Sequence, residues 1–421
     1  MSQKKYHKEL LKIVLDLAWA QWNRLGLLGA SGTNLFSTDI EASILLFADV
    51  VRYDGRLYDG VWYWFKRYGD VVNQERLKTL IQKEKDEWVA RFLGAFLEKQ
   101  SPSQWKTVIK QCQRMCTPTW KEIPLSTTMS QKGWGDKDTL FLKWGILFHD
   151  VLPREKLQDH DWILRTNAQL RYRYLCGVSL RADVLYLLSV SHKIKHKKEK
   201  DYHTSVRLAY LLDCNLSTVH RIKNDFEKGG FLSPSRDSVH NPHIMTWSFQ
   251  NHVFLPSDKY FDHGIVYWSD INRLLRAALI LNTELMEIQD EAICKSHIVT
   301  FQDKFFPILD NHHEIPVFAP YGTALKPLED YSVEQLIALV VERLQLFSYI
   351  ICQALMLRCA RCKTIFPSPM QGMISSLKKS ELFNNTIQCP HCGFSFLTSK
   401  PDFFYYSNIG TEELILFQSE S

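Results

Sequence analysis

Two pairs of cysteines near the end of the chain restrict its fold more than any other feature. Cys359-Ala-Arg-Cys362 and Cys389-Pro-His-Cys392-Gly393 are both C-x-x-C turns. Such a turn places two thiolates on one side of a tight loop, and two turns supply the four soft ligands of a tetrahedral site. Ten cysteines among 421 residues make two such pairs so close together a poor product of chance. A redox role would need a thioredoxin-like βαβ setting, which the flanking sequence lacks. We therefore expect one Zn2+ ion held by Cys359, Cys362, Cys389 and Cys392, in a small zinc ribbon over residues 358–400. Four thiolates close the coordination sphere, so the expected role is structural. Lys363, Lys378, Lys379 and Lys400 would let such a ribbon grip nucleic acid or dock a protein, and the sequence leaves both open. The other six cysteines lie mostly in apolar, helical-looking segments and read as reduced buried thiols.

The rest of the chain has the pattern of a mainly α, multidomain protein. Leu10, Leu11, Val14, Leu17, Ala18, Trp22 and Leu25 recur at helical spacing and predict a helix over 5–30, with Gly26 and Gly29 marking its end. Ser37, Thr38 or Asp39 caps the next helix, whose apolar face is Ile44, Leu45, Phe47, Ala48 and Val51. Residues 56–80 read as helix with a break near Gly69, and 86–116 as further helices. This N-terminal helical domain (1–116) is followed by a Thr-, Ser-, Pro- and Gly-rich linker or exposed loop at 117–139 and by connecting helices at 140–179. A C-terminal helical domain (251–357) precedes the ribbon, with a tail at 401–421. Within it Pro307, Pro316, Pro320 and Pro327 mark a loop-rich stretch, and Val333–Leu357 a long apolar helix that is a candidate dimer seam. The longest apolar stretch, Leu336–Leu357, is interrupted by Glu342 and Arg343. The uncharged part left is shorter than the about 20 residues a bilayer needs, so no membrane partner is expected. The N-terminus, MSQKKYHKELLK, lacks a signal-peptide pattern, and the expected location is cytoplasmic.

Residues 180–250 carry the most informative local pattern. Leu180–Val190 reads as a helix and His192–His203 as a polar loop. Thr204 caps a second helix with Val206, Leu208, Ala209 and Leu212 inward. After a turn at Asp213–Leu216, Ser217 or Thr218 begins a third helix with Val219, Ile222 and Phe226 inward, stopped by Gly229 and Gly230. Phe231–Leu232 and Ile244–Phe249 read as two strands around a polar tip, Ser233–His243. Three helices and a hairpin are the layout of a winged helix-turn-helix. The third helix offers Ser217, Thr218, His220, Arg221, Lys223 and Asn224 to phosphates or base edges, and Arg236 stands at the wing tip. Lys193, Lys195, Lys197 and Lys198 precede the second helix. Between Arg181 and Arg236 eleven lysines and arginines stand against six acids. A local surplus of this kind suits a polyanion, with double-stranded DNA the expected partner.

The stretches Leu170–Ser189 and Thr204–Leu232 resemble winged-helix regulators in which R-A-x-V-L-x-x-L, here Arg181–Leu188, precedes the turn helices. With Trp22–Gly26 (WNRLG), Asp39–Ala42 and Asp54–Trp64 (DGRLYDGVWYW), the chain is similar over about residues 15–280 to an uncharacterised family of helical winged-helix proteins of bacteria and archaea. The resemblance implies DNA binding by the central domain and leaves the biological role open.

Enzymatic signatures are sparse. There is no G-x-x-x-x-G-K-[ST] phosphate loop, no G-x-G-x-x-G after a strand and no G-x-S-x-G elbow. Gly29–Asn34 reads as a loop. Asp39, Glu41, Asp54 and Asp59 could gather a metal for phosphodiester cleavage, but capping and solvation explain them better. His149-Asp150 and His312-His313-Glu314 are adjacent in sequence, which seldom lets side chains converge on one substrate. Trp62, Trp64 and Phe65 read as core rather than a base-stacking platform. The expected function is a DNA-binding protein, a transcriptional regulator or related recognition factor, and not an enzyme. The alternatives are a protein-protein interaction scaffold in a multi-subunit assembly and a metal-dependent nucleic-acid-processing enzyme, with a homodimer or a protein partner left open.

Overall fold

Apolar residues recurring at helical spacing dominate the chain, and the fold that results is mainly helical. The computed structural model describes residues 3–28, 38–117, 122–125, 136–149, 154–193, 204–236, 245–249, 268–310, 331–351, 356–361, 365–367, 386–389, 392–398, 403–406 and 413–415. The chain divides into two compact units.

The larger unit comprises Ala18–Ser31 and Phe36–Ile280. The end of α1 (Gln3–Arg24) enters it, and Gly26 at φ +101° turns the chain beyond that helix. Helix α2 (Ile40–Val50) starts at Asp39, whose carboxylate accepts from the Ala42 amide at 3.0 Å. Helix α3 (Arg56–Tyr68) passes through one 3-10 turn, Gly69–Val71, into α4 (Gln74–Glu84), capped by Asn73. Helices α5 (Glu87–Gln100) and α6 (Lys106–Met115) complete the first group. Their shared core is aromatic. Trp22 meets Trp64 edge-on at 5.6 Å, and Phe47 meets Phe92 at 5.3 Å and Phe96 at 5.5 Å. Trp64, fully buried, keeps its indole N–H satisfied by the Leu25 carbonyl at 3.0 Å. Trp62 and Phe65 are buried with it, in agreement with the core reading. Gly94 is required by packing: a Cβ there would lie 2.3 Å from the Trp144 ring.

The described residues of the stretch 117–139 contribute to this unit. β1 (Ile123–Pro124) pairs in parallel with β2 (Ile146–Leu147), Leu125 is buried, and Asp138 caps α7 (Thr139–Lys143). Helices α8 (His160–Thr166) and α9 (Ala168–Cys176) lead to α10 (Leu180–Lys193), α11 (Ser205–Leu211) and α12 (Leu216–Lys228). An antiparallel hairpin follows, β3 (Leu232–Arg236) with β4 (Met245–Phe249), in register from Leu232 opposite Phe249 to Arg236 opposite Met245. One apolar cluster, including Leu185, Leu188, Leu208, Val219, Ile222 and Leu232, holds these three helices and the hairpin together. Val206, expected inside, is 67% exposed. It sits on the first turn of a helix only two turns long, which leaves Leu208, Ala209 and Leu211 to face the core.

The smaller unit comprises Met1–Leu17, Gly32–Leu35 and Leu281–Ser421. Helix α13 (Trp268–Glu287) ends in it, and α14 (Glu291–Asp310) and α15 (Val333–Ile351) pack together, with Phe301, Phe305, Leu336, Val340 and Leu344 buried. Pro307, expected in a loop, lies in the last turn of α14. The expected helix over Val333–Leu357 ends at Ile351, because Leu357 belongs to β5 (Met356–Arg358). β5 lies between β6 (Ile365–Pro367) and β9 (Phe403–Tyr406), with β10 (Glu413–Ile415) outside β9, all antiparallel. A separate hairpin joins β7 (Thr386–Gln388) and β8 (Ser395–Leu397). No described helix is long and apolar enough to cross a membrane.

Candidate nucleic-acid interface and metal centre

Helix α12 is formed by a turn that leaves little freedom. Thr204 caps α11 by accepting from the Arg207 amide at 3.2 Å. The chain then reverses through Asp213, whose φ of +51° is left-handed, and the Cys214 amide returns to the Ala209 carbonyl at 3.0 Å. The cap of α12 is Asn215, earlier than the expected Ser217 or Thr218, so Leu216 is its first residue. Gly229 and Gly230 end it as expected.

The two faces of α12 differ sharply. Val219 and Ile222 are buried. Ser217, His220, Arg221 and Asn224 are exposed, and Thr218 is half-buried. These five side chains share the outer side that the spacing assigned them. Lys223 does not. It is fully buried, so it is not part of that surface. It stands four residues after Val219, on the buried stripe, and its alkyl stem fills the place an aliphatic side chain would occupy. Burial pushes its ammonium pKa down from 10.5 to about 7. Arg236 ends β3, paired with Met245, so the strand runs further into the expected tip than Leu232. Lys193 closes α10, and Lys195, Lys197 and Lys198 lie outside the described residues.

Beneath the turn lies a buried ionic network that no local motif announces. Arg173 on α9 is fully buried. It donates to both Glu41 carboxylate oxygens at 2.7 and 2.9 Å and to both Asp183 oxygens at 2.8 and 3.0 Å. Its remaining donor reaches the Val71 carbonyl at 2.8 Å. Arg76 on α4 binds Glu41 at 3.0 Å and clamps Asp39 with both terminal nitrogens. Glu41 also accepts from the Asn73 amide at 2.8 Å. Burial by itself would raise the Glu41 pKa, but the Arg173 and Arg76 guanidiniums pull it down to about 2. Both arginines are held above their ordinary range by the same partners. A second arginine fan, Arg276 on α13, reaches Asp49, Glu84 at 2.9 Å and Asp86 at 2.7 Å.

This arrangement answers the question raised by the four N-terminal acids. Asp39 and Glu41 are taken up by arginines. Asp54 accepts from Trp19 at 3.0 Å and Arg56 at 2.9 Å, and Asp59 from the Arg154 backbone. Asp39 and Glu41 share Arg76, and the four do not meet at one point. Among the described residues, cysteines alone form a group of three or more ligands within metal-binding reach. His149 is buried, while Asp150 and residues 312–314 lie outside the described residues.

The cysteine group contains Cys359, Cys389 and Cys392, with sulfurs all within 4.8 Å of one another. Cys359 follows β5 and is buried, as is Cys389 after β7. Gly393, at φ +69°, closes the second turn by donating to the Cys389 carbonyl at 2.9 Å, and the Cys389 amide donates to the Phe394 carbonyl at 2.9 Å. That turn swings Cys392 back, its sulfur 3.7 Å from that of Cys359. Tetrahedral arms of about 2.3 Å separate ligand sulfurs by about 3.8 Å, so the spacing suits a thiolate-bound metal. Cys362, the fourth expected ligand, lies outside the described residues.

Compared with protein-family models, with curated proteins and with solved structures, the chain matches none of them.

Proposed function

We propose that the protein binds double-stranded DNA through a winged helix-turn-helix, as a transcriptional regulator or related recognition factor, and carries one structural zinc ion at its C-terminal ribbon. The observation that carries this reading is the division of α12. A packed apolar face fixes the helix on α10 and α11, and an opposite face of Ser217, His220, Arg221 and Asn224 is left to solvent ahead of a two-stranded hairpin. Those side chains are of the types that contact phosphates and base edges. The basic run at 193–200 would add the electrostatic part. For the metal, three converging thiolates and a fourth cysteine in the partner turn favour zinc over harder-ligand ions.

The test is a binding titration of the full chain with mixed-sequence duplex DNA. We expect affinity to fall linearly on a logarithmic salt axis. Arg221→Ala with Asn224→Ala should weaken binding roughly tenfold or more, the scale of one good base contact. Absence of binding at low salt, or binding indifferent to salt, overturns the reading. A second reading, a protein-docking scaffold, draws on Val206 and Leu216, exposed on α11 and α12. Co-purification of a stoichiometric protein, with no duplex binding, would favour it.

A further inference from the structure

The turn between α11 and α12 is where the buried network and the exposed helix meet, and Asp213 occupies it. A left-handed backbone is cheapest for glycine and after it for asparagine or aspartate, so the backbone admits several residues at 213. The side chain of Asp213 explains the choice. One oxygen accepts from the Lys83 ammonium at 2.6 Å. The other accepts from the Ser269 hydroxyl at 2.8 Å and lies 3.6 Å from Arg76. Arg76 also reaches the last carbonyls of α11, Leu211 and Leu212, at 3.4 Å each. Helix ends leave such carbonyls unpaired and favour a cation there. Arg76 is in turn held by Asp39 and Glu41, and Glu41 by Arg173, which grips Asp183 on α10. The chain of ion pairs therefore closes from α10, through the N-terminal helices, back to the turn that launches α12. Apolar packing is non-directional and tolerates small rotations of a helix. Ion pairs with fixed hydrogen-bond geometry do not.

We infer that Asp213 is a positioning residue: its ties to Lys83 and Arg76 set the orientation in which the outer face of α12 meets its ligand. This rests on the nucleic-acid reading of that face. The cavity beside the turn, about 140 Å³ and lined by Asp39, Arg76, Lys83, Tyr210, Asp213 and Arg273, offers no competing role. Its charged groups are paired with protein partners already, Asp39 with Arg76, Lys83 with Asp213, and Arg273 with Glu84 and Asp270.

Asp213→Asn is the informative variant. Asparagine accepts the same backbone, and Arg76 keeps Asp39 and Glu41, so the fold is retained while the charge is lost. The full-length protein is titrated with a labelled mixed-sequence duplex, and amide hydrogen exchange is followed across residues 205–228. We expect Asp213→Asn to weaken binding roughly tenfold, the scale of a coupled contact, with the slope against salt unchanged because no phosphate contact is removed. Exchange should quicken at the turn and the start of α12. Lys83→Arg should retain affinity and Lys83→Met lose it. The double variant Lys83→Met with Asp213→Asn should be no worse than either single change. Unchanged affinity overturns the inference, whether or not exchange quickens. If the unaltered protein fails to bind the duplex, the nucleic-acid reading falls, and the exchange measurement alone then decides whether Asp213 holds α12.

Discussion

Lys223 shows how a single side chain can contradict its chemistry and obey its spacing. Val219, Ile222, Lys223 and Phe226 form an apolar-stripe pattern in which only the residue type is wrong. The fold keeps the stripe and buries the lysine. Its pKa of about 7, against 10.5 when solvated, means that the unfolded chain binds the proton more readily between those values. Its contribution to stability is therefore full above about 10.5 and is lost as pH falls toward 7. Denaturant melts taken from pH 7 to pH 10 should show stability rising in the natural protein. In Lys223→Met that rise should be largely removed, and an equal rise in both would show that other groups cause it. Arg221, by contrast, follows both spacing and chemistry and stays at the surface.

Between elements, directional polar contacts supplement the aromatic core. Arg173 joins α9 to α2 and α10 through two carboxylates, all three groups without solvent exposure. Removing one member of such a set strands the others, and loss of a partner from a buried ion pair costs about 3–5 kcal/mol. Arg173→Met should lower the midpoint of chemical unfolding accordingly. The triple change with Glu41→Gln and Asp183→Asn should recover part of the loss, since no charge is then left without its counterpart. A midpoint unaffected by Arg173→Met would show that the network contributes little. On the acid side, Glu41 stabilises the fold above about pH 4.5 and ceases to as pH falls toward 2, because its folded pKa is depressed.

At the scale of the molecule, the two units rest on different physics. The larger one buries a dense aromatic cluster and its ionic clamps. In the smaller one, the described residues of the cysteine segment form short strands that bury Leu357, Ile387 and Phe396 beside Cys359 and Cys389. A metal supplies folding free energy to such a segment directly. We expect one zinc per chain by elemental analysis. Chelation, or Cys389→Ser, should expose residues 356–398 to limited proteolysis while 38–117 keep their protection. A protease pattern unchanged by chelation would show that the segment folds without metal.

Local rules made several parts of this protein legible from its residues. The apolar stripe of α1, which stops at Arg24 short of the expected residue 30, the cap at Asp39 among three candidates, the Thr204 cap and the two-faced α12 follow from spacing and capping chemistry, which act within a few residues. The grouping of Cys359, Cys389 and Cys392 was legible because metal-ligand spacing within a turn is also local. The ionic network was not. Arg76, Arg173, Glu41, Asp183 and Asp213 are scattered over the chain, and each alone resembles an ordinary surface charge. The burial of Lys223 was hidden for a related reason, since residue type argued against the position its spacing implied. Helix formation is settled by neighbours along the chain, whereas the partner of a charge is settled by whatever the packed helices bring within about 3 Å of it. That second decision belongs to the tertiary structure, and here it determines what holds α12 in place.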